Sequence, residues 1–103
     1  MTTITLYHET FGRPGQQTPL LLVHGGAGTI ETDWGYAIPT FAADRLVIGV
    51  ELQGHGHTPH AARAYTFENS ADDIAALVRE LGVERVDIMG FSNGGPTAVR
   101  FAL

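Results

Sequence analysis

Three short apolar runs, each followed by a glycine-rich segment, constrain this chain more than any other feature. Leu20-Leu21-Leu22-Val23 runs into His24-Gly25-Gly26. Leu46-Val47-Ile48-Gly49-Val50 leads to Gly54-His55-Gly56, and Val86-Asp87-Ile88-Met89 ends at Gly90. Continuous apolar runs suit strands covered on both faces, as in a parallel sheet. Thr3 to His8 instead alternates, setting Ile4, Leu6 and His8 against threonines and Tyr7, as a half-buried strand does; Phe11 to Gly15 then supplies a turn. Helical patterns lie between the strands. The spacing of Trp34, Ala37, Ile38 and Phe41 predicts a weak helix over Asp33 to Ala43, limited by Pro39. Phe67 to Leu81 is a stronger one, with Ala71, Ile74, Leu77, Val78 and Leu81 on one stripe. Thr66 caps its start, the acids Glu68, Asp72 and Asp73 favour its positive end, and Gly82 stops it. A last helix is expected at or just after Ser92. This alternation specifies an α/β fold, a mostly parallel sheet with flanking helices. The three glycine-rich segments then meet at the C-terminal ends of the strands, where such sheets carry their functional loops.

At 103 residues the chain is a single domain, residues 1–103. Its 44% hydrophobic content excludes a disordered or fibrous chain. The net charge of −5 gives no footprint for nucleic acid or an anionic membrane. With no cysteine there is neither a disulfide framework nor a thiolate nucleophile. No basic region precedes an apolar stretch at the N-terminus, and no run is long enough to span a bilayer, so a cytoplasmic protein is expected.

Gly90-Phe91-Ser92-Asn93-Gly94 follows a strand and precedes a helix, the context that a nucleophile elbow requires. There a serine sits on a strained turn with its oxygen in the crevice. The flanking glycines, Gly90 and Gly94, remove side chains that would collide with strand and helix. The Asn93 N–H, at the positive end of the new helix, faces the developing oxyanion. Ser92 is therefore the candidate nucleophile. Neither G-x-x-x-x-G-K-[ST] nor a G-x-G-x-x-G after a strand is present, which removes the phosphate-loop and dinucleotide readings.

Three stretches, LLLVHGGAG (20–28), VIGVELQGHGHT (47–58) and VDIMGFSNGG (86–95), resemble the N-terminal part of an α/β-hydrolase-fold enzyme of the esterase, lipase and peptidase group. In the second stretch Glu51, Gln53, His57 and Thr58 stand where Asp, Arg, Arg and Ser are more usual. The resemblance implies that Gly26, after His24-Gly25, gives the second oxyanion N–H. It also implies that His24 is structural, because the family's general base comes from a loop beyond the nucleophile. Asp33 and Trp34, with Phe91, are candidates for the mouth of a substrate pocket, although Trp34 suits the core equally. No cofactor is implied.

His55-x-His57-x-x-His60 resembles a metal-binding H-x-H-x-D-H run, but Pro59 occupies the aspartate position and no downstream His or Cys completes a site, so no metal is expected. The triad order in this fold is Ser, Asp or Glu, then His. Asn93 to Leu103 contain neither an acid nor a histidine. The chain therefore reads as an apparently truncated serine hydrolase of a small-molecule ester or amide. The alternative is a non-catalytic fragment or assembly module whose exposed sheet edge supports self-association. Substrate identity is not written in these residues.

Overall fold

The computed structural model describes residues 3–103; Met1 and Thr2, at the start of the segment searched for a leader, lie outside the described residues. The elements follow one another as β1 (Tyr7–Phe11), β2 (Leu20–Val23), α1 (Ile30–Trp34), α2 (Ile38–Phe41), β3 (Val47–Glu51), α3 (Phe67–Glu80), β4 (Asp87–Gly90) and α4 (Gly94–Ala102). The four strands form one sheet in the order β1-β3-β2-β4. β2 pairs in parallel with both β3 and β4, and β1 runs antiparallel to β3.

The apolar runs are the interior of this sheet. Successive side chains of a strand point to opposite faces, so β2 divides its leucines between two cores. Leu21 and Val23 join Ile48, Val50, Ile74, Leu77 and Val78 on the α3 side. Leu20 and Leu22 join Ile30, Ile38 and Val47 on the α1–α2 side. Gly49 lies under α1, where a Cβ would come within 3.0 Å of the Ile30 side chain. The missing side chain lets α1 approach the sheet.

Two elements differ from expectation. The first strand is Tyr7–Phe11, not Thr3–His8. Its register against Val47–Glu51 decides this: Phe11 pairs with Val47 and Tyr7 with Glu51, while Tyr7 N–H bonds the Thr58 hydroxyl at 2.9 Å. The residues before it are held by other means, Leu6 by burial and Ile4 N–H by the Asp73 carboxylate at 3.1 Å. The helix expected over 33–43 is two short helices. A capping box at Thr29 and Thr32 starts α1 earlier, at Ile30. Pro39, lacking an N–H, falls in the first turn of α2, where none is needed. α3 matches its stripe, with Thr66 Oγ1 accepting from Asn69 N–H at 3.0 Å. Asp73, however, is not a solvated charge at that helix's start. Its side chain is wholly buried and paired with Arg63, which also donates from Nε to Gln53 Oε1 at 2.6 Å.

β4 lies at the sheet edge, and its outward face is uncovered. Met89 is 41% exposed, and Val99 on α4 and Leu103 just after it are 61% and 94% exposed. No helix among the described residues is long and apolar enough to cross a membrane.

Candidate active site

β4 continues into the serine turn without a break. Phe91 N–H bonds the Val23 carbonyl at 3.0 Å, after which Gly94 N–H bonds the Phe91 carbonyl at 2.8 Å and Gly95 N–H the Ser92 carbonyl at 2.9 Å. The chain thus reverses within Phe91–Gly94 and enters α4. Ser92 sits at φ +54°, in the left-handed region, where a Cβ costs about 1–2 kcal/mol. The compactness of the turn accounts for its glycines. A Cβ on Gly90 would run into the Gly94 carbonyl, and one on Gly94 would lie 2.5 Å from the His24 carbonyl oxygen. Ser92 is exposed, and no described residue hydrogen-bonds its hydroxyl.

A second turn faces the first. Gly28 N–H bonds the Gly25 carbonyl at 3.0 Å, closing Gly25–Gly28. Ala27, third in that turn, has φ +61°, as a type II turn requires. His24 fixes the turn from beneath. Its buried ring accepts the Leu52 N–H at Nε2 (2.9 Å), so Nδ1 carries the proton and donates to the Gly25 carbonyl (2.7 Å). Burial pushes the His24 pKa below its ordinary value, against the opposing pull of that carbonyl. The Gly25 carbonyl is thereby held by two donors. Because the peptide is planar and trans, the Gly26 N–H must point the opposite way.

The two turns leave matching donors. The Gly26 N–H and the Asn93 N–H occupy the middle of their turns, and neither has an acceptor among the described residues. The two turns lie close together: a Cβ on Gly26 would be 2.6 Å from the Asn93 side-chain Nδ2, and one on Gly25 would be 3.2 Å from the Ser92 Cβ.

The third loop supports the other two. Glu51, at the end of β3, is 2% exposed and accepts from Ile30 N–H at 3.1 Å, and from His57 N–H at 2.7 Å and its Nδ1 at 3.0 Å. Burial raises its pKa, but these donors outweigh burial and hold the carboxyl below its usual range. The sequence singles out Glu51 only as a departure from an aspartate; its role as a hub between α1 and the 55–58 loop emerges from the fold. His55 Nδ1 donates to the Gln53 carbonyl (3.0 Å), and its ring packs on His24 with centroids 4.6 Å apart. His57 stacks on Tyr7 at 4.2 Å. His55 and His57 thus face different partners, and the described residues hold no group of three His, Cys, Asp or Glu able to bind a metal.

Phe91 is 55% exposed, with its ring edge against Gly25. Trp34 packs on the second core, beside Leu20, Leu22 and Ile38, and its buried Nε1 has no acceptor among the described residues. Asp33, which sequence spacing places only near a pocket mouth, accepts the Gly25 N–H at 2.8 Å.

Residues 18–103 match the sequence profile of the alpha/beta hydrolase fold. The chain belongs to that family. This hydrolase-family chain is 33% identical over 85 residues to the dihydrolipoyllysine-residue acetyltransferase component of an acetoin cleaving system of Pseudomonas putida, covering 82% of this chain and 23% of that protein. It is 34% identical over 93 residues to a 2-hydroxy-6-oxo-2,4-heptadienoate hydrolase of Pseudomonas putida, covering 86% and 33%. Among solved structures it superposes on a marine microorganism esterase with a TM-score of 0.89 at 28% identity, covering 97% of this chain and 37% of that one. The chain thus spans about a quarter to a third of the length of the curated relatives named here.

Proposed function

We propose that Ser92 is the nucleophile of a hydrolase acting on an ester or amide of a small molecule, through an acyl-enzyme on its oxygen, with the Gly26 and Asn93 N–H groups as oxyanion hole. One observation carries this reading: an exposed serine at φ +54° lies in a turn packed against a second turn, with the Gly26 Cα close to the Asn93 side chain and the Gly26 and Asn93 N–H groups both without an acceptor among the described residues. Strain of this kind persists where the surrounding structure over-determines it, and it clusters at reactive sites. Backbone donors fixed in advance need no reorganisation when charge develops, and losing one costs about 3–4 kcal/mol of transition-state stabilisation. The hydrolase and esterase relatives support the same class of chemistry.

The base is a separate matter. A serine hydroxyl needs an adjacent group to take its proton. Both ring nitrogens of His24 are engaged, His57 is turned to Glu51, and residues 93–103 contain neither a histidine nor an acid. Residues 1–103 on their own are therefore expected to show little triad-dependent turnover. A fluorophosphonate that, with imidazole added as an external base, bonds to wild type and not to Ser92→Ala supports the nucleophile. Hydrolysis of p-nitrophenyl acetate well above the Ser92→Ala control overturns the statement about turnover.

The uncovered β4 edge favours a second reading, an assembly module that pairs with another chain. Concentration-dependent association in light scattering, with no fluorophosphonate adduct, is its signature.

A further inference from the structure

Asp33 touches the Gly25–Gly28 turn at two places. Its Oδ2 accepts the Gly25 N–H at 2.8 Å, at the first position of the turn. The same carboxylate covers the Gly28 Cα so closely that a Cβ there would overlap both its oxygens and its Cγ. Asp33 is itself held at the end of α1, where its N–H bonds the Thr29 carbonyl at 3.2 Å. The helix begins one residue beyond the Thr29 cap, so helix and turn form a closed loop whose fastening is this carboxylate.

The fastening matters because the turn is strained. Ala27 at φ +61° has a Cβ that disfavours that conformation. Released, such a turn relaxes by rotating the peptide planes between Gly25 and Gly28, among them the one that carries the Gly26 N–H. His24 fixes the carbonyl end of the Gly25–Gly26 peptide from below, but nothing else among the described residues holds the Gly25 N–H.

We infer that Asp33 is a positioning residue for the oxyanion hole: by accepting the Gly25 N–H and seating against Gly28, it holds the Gly25–Gly28 turn in the geometry that aims the Gly26 N–H toward Ser92. This deepens, and rests on, the serine hydrolase reading of the same site. Asp33 touches no reacting atom and acts through the backbone. The part it needs is one acceptor oxygen of the right reach; its charge is dispensable. Asparagine can supply that oxygen, whereas alanine cannot.

The test uses the whole 103-residue chain as wild type, Asp33→Asn and Asp33→Ala, with two measurements. Amide hydrogen exchange by NMR reads the turn directly. The Gly25 and Gly28 N–H are expected to exchange at least about tenfold faster in Asp33→Ala, with most of the protection kept in Asp33→Asn and protection in β2 and β3 unchanged. The rate of fluorophosphonate bonding to Ser92, with imidazole added as an external base, reads the consequence. It is expected to fall about tenfold or more in Asp33→Ala and to be restored by Asp33→Asn. Unchanged Gly25 and Gly28 exchange in Asp33→Ala overturns the positioning role. So does an equal loss in both variants, which would make charge the operative property. If wild type carries no adduct on Ser92, the hydrolase reading fails while the exchange measurement still decides whether Asp33 holds the turn.

Discussion

The Gly94 Cα rests against the backbone of His24, so close that a methyl group on it would lie 2.5 Å from the His24 carbonyl oxygen and 2.6 Å from that of Val23. The first turn of α4 is thereby pressed onto the end of β2, and the serine turn and the His24–Gly28 loop become one rigid body. A single added carbon must force them apart. Gly94→Ala is expected to destabilise the fold by at least about 2 kcal/mol, as overpacking against backbone does. Urea denaturation checks this, and a cost below about 0.5 kcal/mol would contradict so close an approach.

Ser92 occupies a conformation that glycine adopts freely. Ser92→Gly removes the Cβ strain, while Ser92→Ala keeps it. The glycine variant is expected to be the more stable of the two by about 1 kcal/mol, and both lose the nucleophile. Ordinary positions show the reverse order, since glycine gives up more chain entropy on folding. The sign of the difference in denaturation midpoints is therefore decisive.

His24 titrates below its ordinary value because its ring is buried. The unfolded chain then binds a proton at a higher pH than the folded one. Stability from this group is complete above about pH 6.5 and is lost as the pH falls toward the depressed folded pKa. Wild type is expected to weaken on acidification from pH 7 to 5, and His24→Asn to lose part of that slope. Denaturation curves at several pH values test this; a wild-type stability flat across that interval would contradict it.

The Asp73 side chain is wholly buried and its charge is met by Arg63 and the Ile4 N–H. Removing the cation alone leaves a buried carboxylate uncompensated. Arg63→Met is expected to cost about 3–5 kcal/mol, and adding Asp73→Leu to recover part of that loss. A double-mutant cycle measures the coupling, and strictly additive costs would show that the pair does not interact.

Much of the architecture could be read from local pattern. Leu20–Val23 and Val47–Glu51 are apolar on both sides because helices cover both faces, and Phe67–Glu80 carries its stripe because one face meets the sheet. Where long-range pairing decides, pattern fails. Thr3 to His8 alternates convincingly, yet the register of Tyr7–Phe11 against β3 places the strand later. The Asp33–Ala43 spacing hides the Thr29 capping box that moves the helix start. The serine turn was legible because its glycines are adjacent in sequence to what they accommodate. The bonds from Asp33 to Gly25 and from Glu51 to Ile30 were not, since neither partner's residue type announces the other.

The most direct test of the central claim is where a fluorophosphonate bonds to the wild-type chain when imidazole is added as an external base. Two serines compete: Ser92 on the exposed turn and Ser70, which is 1% exposed in α3. Peptide mass spectrometry after labelling is predicted to find the adduct on Ser92, and to find none in Ser92→Ala. An unmodified Ser92, or an adduct that persists in Ser92→Ala, would contradict the account.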